Sequence, residues 1–208
     1  MNIHVTYSQN NNISTISDKV LPSGLQGFIS RGNPLLTHLI SKDAFKSSRD
    51  TLQTLVITSS RLSVLPDAIY SLTSLTSFTW SDNPLTHLPD LSFLDKLTSL
   101  DLSNNKFSDD SLQKFPGSLE ELDLSMNSLT SIPPTVSELG NLTSLELNDN
   151  GVTSVDSFRF PGQLQNLELS NNKIVDVSSI QFDGYNLELQ NLSLSNNPLK
   201  SIGNETFR

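Results

Sequence analysis

Residues 97–107 read LTSLDLSNNKF, residues 119–129 LEELDLSMNSL and residues 164–174 LQNLELSNNKI. All three fit one template, Leu-x-x-Leu-x-Leu-x-x-Asn-x-Leu. Slid along the chain, it starts at Leu25, Leu52, Leu75, Leu97, Leu119, Leu142, Leu164 and Leu189, in steps of 22 to 27 residues. Of the 32 apolar slots in these eight units only Ser30 is polar, where the 35% apolar content of the chain would fill about 11 slots by chance. The Asn slot holds Asn33, Asn83, Asn105, Asn127, Asn150, Asn172 and Asn197, with Ser60 as the exception. A fixed period of this length means a stack of equivalent turns rather than a fold with one central core.

The chemistry of the template dictates the turn. Leu-x-Leu alternates with period two, so the second and third Leu of each unit belong to a short strand. Successive strands stack in parallel about 4.8 Å apart. The Asn stands where the chain leaves the strand; its amide carries donors and an acceptor, suited to backbone groups of the adjacent turn. The returns contain Leu65-Pro66, Leu88-Pro89, Ile132-Pro133, Phe115-Pro116-Gly117 and Phe160-Pro161-Gly162. Pro and Gly at this density break long helices, which predicts loops and 3₁₀ turns there, with Asp67–Tyr70 and Thr135–Glu138 as the best helical turns. The expected fold is an α/β repeat solenoid with a parallel concave sheet. Residues 1–24 fit the template poorly, and Val5, Tyr7, Ile13 and Ile16 suggest a degenerate first repeat or a cap. Residues 25–208 form the repeats proper. Ser201 to Arg208 begin a return that is not completed, so the last unit reads as incomplete and its apolar side as open.

Composition narrows function. The chain has 208 residues, with 35 Leu, 34 Ser and 20 Asn; the lead of Leu supplies enough apolar surface to argue against disorder. Cys is absent, which excludes disulfides, thiolate metal sites and a Cys nucleophile. A net charge of −9 disfavours nucleic acid and anionic membranes and suits a basic partner. No apolar run is long enough to span a membrane, and residues 1–12 lack the basic start and apolar centre of a signal peptide. His4, His38 and His87 stand without ligand-spaced partners, and no phosphate loop, nucleophile elbow or zinc spacing occurs. Trp80 fills an apolar slot and reads as core. Neither an enzyme active in these residues nor a metal or cofactor is expected.

The strand positions between the Leu residues point into the concavity. Between the second and third Leu they read Ile29, Val56, Thr79, Asp101, Asp123, Glu146, Glu168 and Ser193. Four consecutive carboxylates should form a column roughly 15 Å long at one strand spacing each, flanked by Asp82, Glu120, Glu121 and Asp149. Across the forty concave positions of the eight units there are eight acids and one base, Arg31. The other positions are mostly Ser, Thr, Asn and Gln, with no exposed aromatic in these units and Met126 as the apolar point beside the column. The candidate partner-contact residues are therefore Asp101, Asp123, Glu146, Glu168, Glu121 and Asp149.

The template and its Asn slot resemble the leucine-rich repeat family, over residues 25–208. The resemblance implies a curved horseshoe that recognises a protein or peptide. The Ser- and Asn-rich, Pro-punctuated, Cys-free units look like extracellular domains of receptor-like kinases and receptor-like proteins, in the style of oomycetes or other microbial eukaryotes. The Gly-x-Ile-Pro step of plant receptors is missing. Implied with that likeness is a place on the extracellular side of the plasma membrane, with a kinase outside these residues. The alternative is a cytoplasmic scaffold or pathogen effector, in which Leu-Pro returns are also common. The sequons at Asn12, Asn141, Asn191 and Asn204 do not discriminate, since this Ser/Thr and Asn content gives about five by chance. On a secretory route, a glycan on Asn191 would lie on the concave strand itself, whereas Asn141 and Asn204 lie off it.

Overall fold

A computed structural model describes residues 4–18, 21–37, 40–156, 158–182 and 188–202. In chain order the strands are β1 (Val5–Gln9), β2 (Gly27–Arg31), β3 (Thr54–Thr58), β4 (Ser77–Thr79), β5 (Ser99–Asp101), β6 (Glu121–Asp123), β7 (Ser144–Glu146), β8 (Arg159–Phe160), β9 (Asn166–Glu168), β10 (Gln181–Phe182) and β11 (Asn191–Ser193). Nine of them form one sheet in the order β1-β2-β3-β4-β5-β6-β7-β9-β11, and every adjacent pair is parallel. On the return side β8 and β10 add a two-stranded parallel pair. Among the described residues the only helices are short 3₁₀ segments: Lys46–Ser48, Asp67–Ser71 and Pro134–Glu138. The architecture is a leucine-rich-repeat horseshoe.

Apart from Leu35 and the partly buried Leu residues of the last unit, the apolar template positions face the interior. Leu100, Leu122, Leu145 and Leu167, neighbours on β5, β6, β7 and β9, are buried, as is the next column, Trp80, Leu102, Leu124, Leu147 and Leu169. Trp80 packs edge-on against Phe78 at 5.8 Å. Truncating one such side chain to Ala costs about 2–5 kcal/mol. Ser30, the polar exception, is also buried, and its hydroxyl accepts an N–H from Asn33 at 3.0 Å.

The Asn residues join turns in one direction. Asn105 Oδ1 accepts the backbone N–H of Leu85 at 3.1 Å, and its Nδ2 donates to the Trp80 carbonyl at 2.9 Å, both in the preceding unit. The same pair of bonds recurs at Asn127 toward Phe107 and Leu102, at Asn150 toward Leu129 and Leu124, and at Asn172 toward Val152 and Leu147. Asn33 and Asn83 reach back likewise, and so does Asn197. Ser60 has no amide to do this; its hydroxyl donates only to Thr58 O at 3.4 Å. The preceding turn also departs from the template. The template places Leu35 in the core, but Leu35 is 52% exposed and Leu36 is buried instead. A tight turn, with Leu36 N–H on Asn33 O at 2.9 Å, carries the chain one residue further before it enters the core.

The residue before each ladder position adopts a left-handed backbone: Asn10, Gly32, Ser59, Asp82, Asn104, Met126, Asp149, Asn171 and Asn196. Gly, Asn and Asp tolerate this conformation; at Met126 it costs about 1 kcal/mol. The N-terminal segment carries the same feature. β1 pairs with β2 along its whole length, Asn10 takes the left-handed turn, and Asn11 donates to Gln9 O at 2.9 Å.

Candidate functional site

Register places the predicted acids side by side. Thr79 pairs with Asp101, Asp101 with Asp123, Asp123 with Glu146, Glu146 with Glu168, and Glu168 with Ser193. Their side chains leave the sheet on the face opposite the buried Leu columns. Glu121, two residues before Asp123, sits one row over, opposite Ser99 and Ser144. Asp149 lies at the left-handed corner after β7, where it accepts an N–H from Asn148 at 2.9 Å. Asp82 occupies the same corner after β4 and binds the Asn104 amide at 2.5 Å.

The column has two halves. The short Asp side chains fold back on their own strands: Asp101 Oδ1 accepts the Ser103 N–H at 2.9 Å and its hydroxyl at 2.6 Å, and Asp123 Oδ1 accepts the Ser125 N–H at 2.8 Å. Glu146 and Glu168 are one methylene longer and form no hydrogen bond with a described residue; Glu146 is exposed. None of the four forms an ion pair with a described residue: the two salt bridges among them are Lys46–Asp43 and Arg49–Asp50, far from the column.

Unbalanced charge shows in the ionisation. Burial raises the Asp123 pKa, the Ser125 bonds oppose this, and Asp101 adds repulsion. Burial also raises Glu146, and here every charge contribution acts in the same direction, from Asp123, Glu168, Asp101 and Glu121. Chemically this is a pre-formed anionic strip with lone pairs free at its Glu half. Among the described residues no group of three or more His, Cys, Asp or Glu is placed to hold a metal ion. No helix there is long and apolar enough to cross a membrane.

The concave face extends beyond the eight units, and there it carries an aromatic side chain. β1 extends the sheet, and Tyr7 stands in register with Ile29, at the head of the same column as the acids. It is 67% exposed. The repeat template does not reach it, because β1 carries Thr6 and Ser8 where most other strands carry apolar side chains. Met126 is exposed beside the column.

The remaining candidates lie apart from the acids. Asn191 is exposed on β11 and donates to Asn166 Oδ1 at 2.6 Å, a bond that a glycan would replace. Asn141 donates to Gly117 O at 3.1 Å on the way into β7, and Asn12 is exposed near the N-terminus. Asn204 and His38 lie outside the described residues. His4 and His87 are exposed, the latter bonded to Thr86 Oγ1 at 3.1 Å.

Matches to the family profile described as Leucine rich repeat cover residues 50–107, 95–152 and 117–174, and a second Leucine Rich Repeat profile matches residues 188–208. None of the curated proteins matches this chain. Among solved structures, TLR13 in a TLR13–ssRNA13 complex superposes with a TM-score of 0.71 at 26% identity, covering 88% of this chain and 26% of TLR13. YopM from Yersinia enterocolitica gives a TM-score of 0.69 at 24% identity, covering 94% of this chain and 38% of YopM. An internalin (inlF) from Listeria monocytogenes gives 0.57 at 20% identity, covering 85% and 63%. The chain thus spans less than two thirds of each of these proteins. The likenesses to YopM and the internalin concern the fold alone.

Proposed function

This chain belongs to the leucine-rich repeat family, and from that premise we propose that it is a protein-recognition module whose concave column Asp101, Asp123, Glu146 and Glu168 receives a basic segment of a protein partner. The observation that carries this reading is the register: four carboxylates on four adjacent strands, with no cation among the described residues to balance them. Like charges opposite each other on neighbouring strands destabilise a sheet, and a partner's Lys or Arg side chains relieve that repulsion. The partner is not RNA. TLR13 is seen with ssRNA, but phosphates approaching this strip would meet repulsion instead of the cations that nucleic-acid binding requires.

We place the module in the ligand-sensing ectodomain of a receptor-like kinase, on the extracellular side of the plasma membrane, with any kinase outside these residues. Support comes from the style of the repeats and from the fold shared with TLR13 at 26% identity. Labelling intact cells with a membrane-impermeant reagent reads this location, and protection of the chain would favour a cytoplasmic scaffold or effector.

The test of the site is a variant carrying Asp101→Asn, Asp123→Asn, Glu146→Gln and Glu168→Gln together, titrated with a lysine-rich peptide. Each exposed ion pair contributes about 0.2–1 kcal/mol, so the four together contribute roughly 1–4 kcal/mol. That corresponds to a loss of between about fivefold and nearly a thousandfold in affinity, and wild-type binding should weaken from low to physiological salt as the Debye length shortens. Unchanged affinity and salt slope in the variant would leave the acids as solvated filler.

A further inference from the structure

The column that ends in acids begins in apolar side chains. Along one line of strand-to-strand register the residues are Tyr7, Ile29, Val56, Thr79, Asp101, Asp123, Glu146 and Glu168. Tyr7 is 67% exposed, Val5 beside it on the same face is 38% exposed, Ile29 is half-buried and Val56 forms a buried floor. Opposite Val5 stands Gly27, and the Val5 methyls lie over its bare backbone, 3.2 and 3.3 Å from where a Cβ would stand. This unpartnered apolar face is continuous with the acidic strip, and both belong to a single sheet.

Charge decides what it can receive. Arg31, the one base of the concave strand positions from β2 onward, borders the apolar end; it is exposed and forms no ion pair with a described residue. It repels a partner's Lys and Arg from Tyr7 and Ile29, while the four carboxylates attract them at the other end. A ligand crossing the strands is thereby oriented. Resting on the recognition reading above, we infer that Tyr7, Val5 and Ile29 form an apolar anchoring site for the same partner, which is a polypeptide segment with an aromatic or aliphatic side chain at one end and basic side chains at the other.

The spacing follows from the sheet. Tyr7 and Asp101 are four strand intervals apart, about 19 Å at 4.8 Å each. An extended chain spans that distance in about six residues. From Asp101 to Glu168 is three more intervals, about 14 Å, or about four residues. The segment therefore carries its apolar side chain about six residues from a basic stretch of four or five. Thr79, small and polar, is the crossing point between the two parts.

Three synthetic peptides test this against the full chain by fluorescence anisotropy. The first has a Trp, a five-residue Gly/Ser spacer and a Lys-rich stretch; the second replaces Trp with Ser; the third places Trp directly beside the Lys stretch. The first should bind at least about tenfold tighter than the other two. Tyr7→Ser should remove that advantage and leave the Trp-free peptide unaffected, while Tyr7→Phe preserves it. Tyr7 is solvent-facing, so neither variant threatens the fold, which circular dichroism verifies. If the Lys-rich peptides bind in a salt-dependent way but Trp adds nothing, or if Tyr7→Ser changes nothing, the anchoring site is refuted while the acidic reading stands. If no Lys-rich peptide binds even at low salt, the acidic reading fails and takes the anchoring site with it.

Discussion

Carboxylates on the two sides of the horseshoe behave in opposite ways. On the return side, Asp109 accepts the backbone N–H groups of Thr130 at 2.7 Å and Ser131 at 3.1 Å, together with the Thr130 hydroxyl. Its partial burial acts to raise its pKa, but these bonds outweigh that and lower it. Asp90 is lowered by the Ser92 hydroxyl and N–H, and Asp176 by the N–H and hydroxyl of Ser178. On the concave side Asp123 and Glu146 are raised, because burial and neighbouring acids outweigh what donors they have. The residue types are the same, and the difference lies in what each meets. An acid in a return loop meets Ser and Thr donors and fastens the turn. An acid on the concave strand meets another acid one strand away. The first kind stabilises the fold by being charged, and the second lowers stability for as long as no cation lies across it.

This contrast breaks most visibly at Asp109. Asp109→Ala strips the partners from two backbone N–H groups and a hydroxyl joining adjacent returns, and should destabilise the chain by about 1–3 kcal/mol in urea denaturation. An Asp109→Ala variant as stable as wild type would mean that the return-side bonds do no fastening.

Glu146→Gln sharpens the other side. Its raised pKa means that the folded state holds the proton more tightly than the unfolded one. Its contribution to stability is full below the ordinary value of 4.5 and disappears as pH rises through the raised value. The Gln variant should therefore match wild type at low pH and exceed it at neutral pH, by no more than about 1 kcal/mol because the site is open to solvent. Asp109 has the reverse dependence: its contribution is present above 3.8 and lost as pH falls through its lowered value. Adding salt at neutral pH should reproduce part of the Glu146→Gln gain in the wild type by screening the column. Destabilisation by Glu146→Gln at neutral pH would reverse the assignment of this face.

Much of the site is legible in the sequence. Because the side-chain period of a strand is two and the repeat fixes which residue is which, Asp101, Asp123, Glu146 and Glu168 had to share one column, and the register pairs them. The helical turns at Asp67–Tyr70 and Thr135–Glu138 were legible from Pro placement and appear as 3₁₀ segments Asp67–Ser71 and Pro134–Glu138. What escaped has local causes. β1 was hidden by Thr6 and Ser8, whose hydroxyl oxygens are buried without partners in positions that most other strands fill with apolar side chains. With β1 hidden, Tyr7 was lost from the concave inventory. Leu36, not Leu35, enters the core through the tight turn that its N–H makes on Asn33 O, a turn the repeat period does not encode.

The sequence by itself determined the stack, its direction, the inward Leu columns and the line of acids, since each follows from a period repeated many times and read one strand at a time. Only the tertiary structure decided which carboxylates are satisfied and which are not. Asp109 finds its donors at Thr130 and Ser131, 21 and 22 residues away, through the path of two return loops whose lengths vary from unit to unit. Tyr7 joined the acids only when β1 paired with β2. A strand's periodicity fixes where a side chain points, but hydrogen bonding and charge depend on what stands opposite, and that is set by how neighbouring turns lie against each other.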